Sequence, residues 1–118
     1  MDVQKYLQRI EYTGSRVANL DNLNQLCWCH ATHVPQYTLD LFGGEGKQFD
    51  LENIYHKIVQ LGLGGFCYEL NGLFGNLLKL LGYKIELLQG SCFMQSSDEF
   101  NFPFDHLLLK VCTLVYCV

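Results

Sequence analysis

Charge is scarce in this chain: aspartate, glutamate, lysine and arginine make up only 17 % of its 118 residues, against about 25 % in a typical soluble domain. With 49 % of residues hydrophobic, so apolar a composition excludes an intrinsically disordered chain. Basic residues are scarcest, 8 against 12 acidic ones for a net charge of −4, and they form no cluster. The chain thus lacks the surface that neutralises phosphates, which argues against nucleic acid or an anionic membrane as partner. No apolar run approaches the roughly 20 residues of a membrane-spanning helix, and Met1 is followed by Asp2 and Lys5 where a leader would carry basic and then apolar residues. These absences predict a cytoplasmic protein without a signal peptide, whose six cysteines are thiols and not a disulfide scaffold. The length suits a single compact core.

Hydrophobic spacing predicts four helices followed by strands. Asp2 is placed to cap a helix over residues 3–10, where Val3, Tyr6, Leu7 and Ile10 recur at helical spacing. Leu20, Leu23, Leu26, Cys27, His30 and Val34 mark a second helix that Pro35 ends, because a residue before proline avoids the α region. Residues 35–48, with Gly43, Gly44 and Gly46, read as a loop with an extended stretch at 37–42. Asp50 caps a third helix with Leu51, Ile54, Tyr55, Ile58 and Val59 on one stripe, and Gly62 closes it. A fourth starts at Cys67 and stops at Gly82; its interior Gly72 and Gly75 each cost about 1 kcal/mol relative to alanine, which implies close packing against a neighbour. The period then changes to two, predicting a strand from Tyr83 towards Phe93, a polar loop over 95–101, and a strand over 104–111. His106, Leu108 and Lys110 share one face of that last strand, with Leu107, Leu109 and Val111 on the other. Residues 114–118 are apolar again, without a turn residue before them. Helices first and strands second describe an α+β fold; a sheet of two or three strands would leave bare edges, so the chain reads as truncated.

Cys67 stands out chemically. At the first turn of a helix it faces unpaired backbone N–H groups and the positive end of the helix dipole, both of which favour thiolate. Gly64 and Gly65 before it permit close approach of a carbonyl to the sulfur and of a backbone N–H to an oxyanion. The same pattern also suits a buried structural cysteine. A thiolate nucleophile needs a base, and the candidates are His30, His33, His56 and His106. His30 lies on an apolar helix face and reads as a core or boundary histidine, whereas His33 and His56 read as solvated. His106, within a strand beside Asp105, is free to be aimed at another element. Cys27, Cys29, His30 and His33 offer donors on one helix, but no second pair completes a tetrahedral site, so no metal is expected.

Three segments in order carry a resemblance: Leu20-x-x-Leu23-x-x-Leu26-x-x-x-His30-x-x-x-Val34-Pro35, then Phe49 to Val59, then Gly64-Gly65-Phe66-Cys67-Tyr68-Glu69-Leu70-Asn71-Gly72. With Tyr6 to Ile10 before them and Phe104-Asp105-His106-Leu107 after, the chain resembles the arylamine N-acetyltransferases over nearly all of residues 1–111. The resemblance implies a cysteine-proteinase-like architecture with a Cys-His-Asp triad. Residues 1–82 would form the helical domain with the nucleophile Cys67, and residues 83–118 the first antiparallel strands of a β-barrel domain with His106. It further implies acetyl-CoA as cosubstrate and arylamines or hydrazines as acceptors, in ping-pong transfer through an acetyl-Cys67 intermediate. Gly65 and Phe66 would lie at the substrate, with a role in xenobiotic metabolism.

The chain departs from that family in three places. The triad aspartate would follow Tyr116 in a Tyr-x-x-Asp context, and the sequence ends at Val118. The arginine before Gly-Gly is Leu63, and the Pro-Phe-Glu-Asn loop reads Pro35-Gln36-Tyr37-Thr38, so both partners of an ion pair are replaced together. The expectation is therefore weak or absent activity in the 118-residue chain. The alternative is a non-catalytic fragment that self-associates or pairs with a partner through an open strand edge.

Overall fold

A computed structural model of the chain describes residues 1–37, 49–103, 105–113 and 118. The Asp2 carboxylate accepts the Lys5 amide at 3.1 Å and starts α1 (Val3–Arg9). Asn19 does the same for α2 (Leu20–His33), accepting from the Asn22 amide at 2.8 Å. α2 ends where Val34 turns extended ahead of Pro35, as expected. Asp50 caps α3 (Leu51–Tyr55) through the Glu52 amide at 3.0 Å. The third helix was expected to run unbroken to Gly62, but after Tyr55 it widens into a π-helical turn, His56–Gln60. The wider turn hands the Ile58 carbonyl to Arg9 Nε at 3.0 Å. Gly62, at φ +70°, ends the segment in the left-handed region that glycine favours.

The longest apolar helix, α4 (Cys67–Leu80), occupies the centre and packs against α1, α3 and the two long strands. Its glycines have the predicted purpose. A Cβ on Gly72 would lie 2.6 Å from the Phe49 ring and one on Gly75 would lie 3.0 Å from the Leu109 side chain. Tyr6, Ile10, Leu26, Ile58, Leu73, Leu77 and Leu78 are the largest wholly buried side chains.

β1 (Lys84–Gly90) pairs antiparallel with β4 (His106–Cys112), setting Leu88 opposite Leu108 and Gly90 opposite His106. The alternation holds in β4: Leu107 and Val111 are buried and Leu108 is exposed. β1 stops at Gly90, short of the expected Phe93. The expected polar loop contains a small hairpin of β2 (Phe93–Met94) and β3 (Glu99–Phe100), whose rings meet edge to face at 5.2 Å. Aromatic cross-strand pairing fixes this hairpin, which has too few residues to show a period. Val118 exchanges both backbone hydrogen bonds with Val111 of β4. Cys112 is disulfide-bonded, a correction to the expectation of six thiols. That expectation rested on compartment, which says nothing of whether the fold brings two sulfurs together. The extended stretch beyond residue 37, Phe104 and residues 114–117 lie outside the described residues.

Candidate active site

Two backbone contacts hold the turn that delivers Cys67. The Gly65 amide donates to the Pro35 carbonyl at 3.2 Å and the Tyr37 amide to the Gly65 carbonyl at 3.0 Å, a single parallel bridge between the two segments. Only glycine fits at 64, since a Cβ there would lie 1.9 Å from the Pro35 oxygen. The close approach is thus between two pieces of this chain. Phe66 then leads into α4 with its amide donating to Glu69 Oε2 at 3.2 Å, the first-turn carboxylate interaction that helix starts favour. The N–H groups of Gly65 and Phe66, both named as substrate-side residues, are therefore engaged within the fold.

Charged side chains brace this turn from behind. Arg9 reaches from the end of α1 and donates to four carbonyls: His33 at 2.7 Å, Ile58 at 3.0 Å, Gly62 at 3.1 Å and Leu63 at 3.4 Å. Lys57 Nζ pairs with Glu69 Oε2 at 2.8 Å, with both side chains largely buried at 16 % and 12 % exposure. It also lies 5.4 Å from the centroid of the Tyr37 ring. Tyr37 stands where the resemblance expects a glutamate, and Leu63, in place of the arginine, is 47 % exposed. The turn is thus held by a lysine, a glutamate and an aromatic ring. Sequence reading missed all three; the position of Glu69 two residues after Cys67, inside the first helical turn, was the available signal.

Cys67 is half-buried, and its thiol donates to the Asp105 carbonyl at 3.8 Å. Asn71, four residues on and hence on the same helix face, donates to the Leu107 carbonyl at 2.6 Å. Residues spaced by one helical turn on α4 thus read carbonyls two residues apart at the start of β4, which sets the sulfur beside the peptide that precedes His106. The contact shown is with the backbone ahead of His106; among the described residues no hydrogen bond joins the Cys67 thiol to the imidazole. The Asp105 carboxylate faces elsewhere: it accepts the Cys92 amide at 3.0 Å and Asn101 Nδ2 at 2.8 Å. As strand alternation implies, it does not orient His106.

His30 is a core residue, as expected. Its ring stacks on Phe74 of α4 at 4.5 Å, its Nδ1 lies 3.3 Å from the Tyr6 hydroxyl, and its Nε2 has no hydrogen-bond partner among the described residues. Burial, reinforced by the Arg9 charge, holds its pKa down to about 4. His56 is exposed beside Gln60. His33 is half-buried, with Nε2 3.3 Å from a Glu11 carboxylate oxygen and Nδ1 2.9 Å from the Cys29 carbonyl. Among the described residues no three histidine, cysteine or acidic side chains gather into a metal-binding group.

The family model described as N-acetyltransferase matches residues 19–114. The pineal gland isozyme NAT-3, an arylamine N-acetyltransferase of Gallus gallus, is 38 % identical over 112 residues, covering 94 % of this chain and 39 % of its own length. The arylamine N-acetyltransferase of Mycolicibacterium smegmatis is 34 % identical, covering 94 % of this chain and 41 % of its own length. Among solved structures, the Nocardia farcinica arylamine N-acetyltransferase superposes with a TM-score of 0.89 at 31 % identity, covering 99 % of this chain and 40 % of that one. The Mycobacterium marinum enzyme in complex with CoA gives 0.80 at 31 % identity, covering 96 % and 42 %. The chain therefore spans about two fifths of the length of the relatives it matches.

Proposed function

Because the chain belongs to the arylamine N-acetyltransferase family, we propose that it carries the nucleophile half of an acyl-transfer site, with Cys67 as acyl acceptor and His106 as its base. The observation that carries this reading is the sulfur of the α4 N-terminal residue lying 3.8 Å from the carbonyl just before His106. The Cys67 contact to that carbonyl is a thiol's bond, since a thiolate has no proton to give. Activation transfers that proton to the His106 imidazole, and the thiolate left at the helix N-terminus is stabilised by the dipole. Hydrogen bonds between catalytic groups are often long in unliganded sites and tighten around substrate.

The thiolate attacks the thioester carbonyl of acetyl-CoA, CoA leaves as a thiol with the proton from His106, and an acetyl-Cys67 thioester remains. An arylamine or hydrazine nitrogen then takes the acetyl group and gives its proton back through His106 to the cysteine. The CoA-bound M. marinum relative supports the donor. No carboxylate is hydrogen-bonded to His106 among the described residues, and a histidine without its orienting carboxylate loses on the order of 10⁴ in kcat in serine-protease triads. The 118-residue chain is thus expected to acetylate Cys67 slowly and to turn over poorly. Intact-protein mass spectrometry after mixing with acetyl-CoA should show slow single-site acetylation that Cys67→Ala abolishes. Acetylation that persists in Cys67→Ala would remove the cysteine from its role, and a fast, near-stoichiometric burst would show that the imidazole needs no carboxylate.

A second reading, self-association through the sheet, is favoured by the exposure of Leu88 and Leu108, paired across β1 and β4 at 42 % and 44 %. Light scattering across a concentration series tests it; a monodisperse monomer throughout excludes it.

A further inference from the structure

A second free thiol shares the Asp105 corner. Cys92, in the connection between β1 and β2, is exposed and free, as is half-buried Cys67. Its amide donates to Asp105 Oδ1 at 3.0 Å, which sets its side chain beside the same carboxylate. The Cys67 sulfur lies against the main-chain oxygen of that one residue. The corner is itself fastened: Asn101 holds the other carboxylate oxygen at 2.8 Å, and the Asn101 amide donates to the Cys92 carbonyl at 2.8 Å. Two thiols from segments 25 positions apart (92 − 67) thus flank one aspartate. Desolvation, the Asp105 carboxylate and the Cys67 sulfur, in that order of size, push the Cys92 thiol upward, so Cys92 waits as a thiol, while Cys67 is the sulfur carried at a helix N-terminus.

From this juxtaposition we infer that Cys67 and Cys92 are a peroxide-responsive thiol pair, Cys67 the oxidised sulfur and Cys92 its resolving partner. The Cys67 thiolate attacks one oxygen of a hydroperoxide, so an S–O bond forms, the O–O bond breaks, and the departing hydroxide or alkoxide takes up a proton. The Cys92 sulfur then attacks the Cys67 sulfenic acid. The S–S bond forms, the S–O bond breaks, and the hydroxyl leaves as water with the Cys92 proton, which the adjoining Asp105 carboxylate is placed to relay. With hydrogen peroxide, two thiols and one peroxide become one disulfide and two waters. The disulfide blocks the nucleophile reversibly and spares it from sulfinic acid. The inference goes beyond acyl transfer and does not require it, because its readout is the state of the sulfurs.

The test treats the reduced chain with hydrogen peroxide at low molar excess, followed by non-reducing peptide mapping. The expected product is a Cys67–Cys92 cross-linked peptide that dithiothreitol reverses. In Cys92→Ser, and equally in Cys92→Ala, Cys67 should instead accumulate irreversible sulfinic acid to about tenfold the wild-type yield. Cys92 is exposed, so neither change disturbs the core. Cys27→Ser, also at an exposed free thiol, should leave the cross-link intact. Equal sulfinic yields in wild type and Cys92→Ser, or a cross-link from Cys67 to any cysteine other than Cys92, would overturn the pairing.

Discussion

Tyr6, Ile10, Leu26, Ile58, Leu73, Leu77 and Leu78, the largest side chains that are fully buried, all come from the helical segments, whereas β1 and β4 leave the facing pair Leu88 and Leu108 more than two fifths exposed. The polar groups divide in the same way. Arg9 gathers four carbonyls from three parts of the chain, and Lys57 and Glu69 pair in largely buried surroundings. On the sheet, the Lys110–Glu86 cross-strand pair at 2.9 Å is solvated. Helical packing therefore stores the stability, and the sheet is held mainly by its backbone ladder and by one side against α4. Cys67 sits on the seam, anchored by the rigid part and addressed to the open one. A perturbation of the helical part should unfold the chain, and one on the sheet's outer face should change only what the chain meets.

The sharpest way to break this contrast is at Arg9. Arg9→Met removes every donor to the carbonyls of His33, Ile58, Gly62 and Leu63, and charge-assisted bonds of this kind contribute about 1.5 to 3 kcal/mol each before relaxation and water recover part of it. A net loss of about 3 kcal/mol is expected from the urea midpoint. Arg9→Lys should recover a minor share, because an ammonium cannot fork to several carbonyls at once. A loss below about 1 kcal/mol would mean that the turn before Cys67 stands without its brace.

Next in size is the ion pair. Lys57→Met leaves the Glu69 carboxylate largely buried with, among the described residues, the Phe66 amide alone as donor and should cost about 2 kcal/mol. Adding Glu69→Gln to it removes the stranded charge and should restore about half of that, a coupling that a double-mutant cycle reads directly.

The ends of elements were legible in the sequence because they are local. Asp2, Asp50, Gly62 and Gly82 act within a few residues of themselves, and a helix start at Cys67 follows from its neighbours. Gly72 and Gly75 announced close packing, though not against Phe49 and Leu109. What stayed hidden depends on partners far along the chain. The Arg9 side chain meets the Leu63 carbonyl 54 positions away, and nothing in Tyr-Leu-Gln-Arg-Ile marks it as a staple. The β2–β3 hairpin was missed since two-residue strands have no period, and Asn71 since its one clue, the four-residue step from Cys67, gains meaning only once β4 is in place.

His30 offers a subtler probe of the helical part, through pH. The neutral imidazole is the form the core accepts: its pKa falls from an ordinary 6.5 to about 4 on folding. The unfolded chain therefore binds a proton the folded one refuses, so this contribution is complete above the ordinary value and declines as pH drops towards 4. Stability should fall by about 1 kcal/mol between roughly pH 7 and pH 5.5 from this group alone. In His30→Gln, which cannot titrate, the thermal midpoint should be lower throughout but flatter over that range. An unchanged slope would show that acid acts elsewhere.

The smallest effect on stability is expected on the sheet, where it tests the other side of the contrast. Leu108 is on the outer face, opposite Leu88 and next but one to the Lys110–Glu86 pair. Leu108→Lys trades one exposed apolar side chain for a charge that the strand already tolerates two residues away, and should shift the urea midpoint by less than about 0.5 kcal/mol. Its effect should lie in association: if copies meet through this face, a lysine at its centre sets like charges against one another and lowers the oligomer fraction in light scattering several-fold. A large stability loss without change in association would make Leu108 part of a core, and the two regions would then be packed by the same rule.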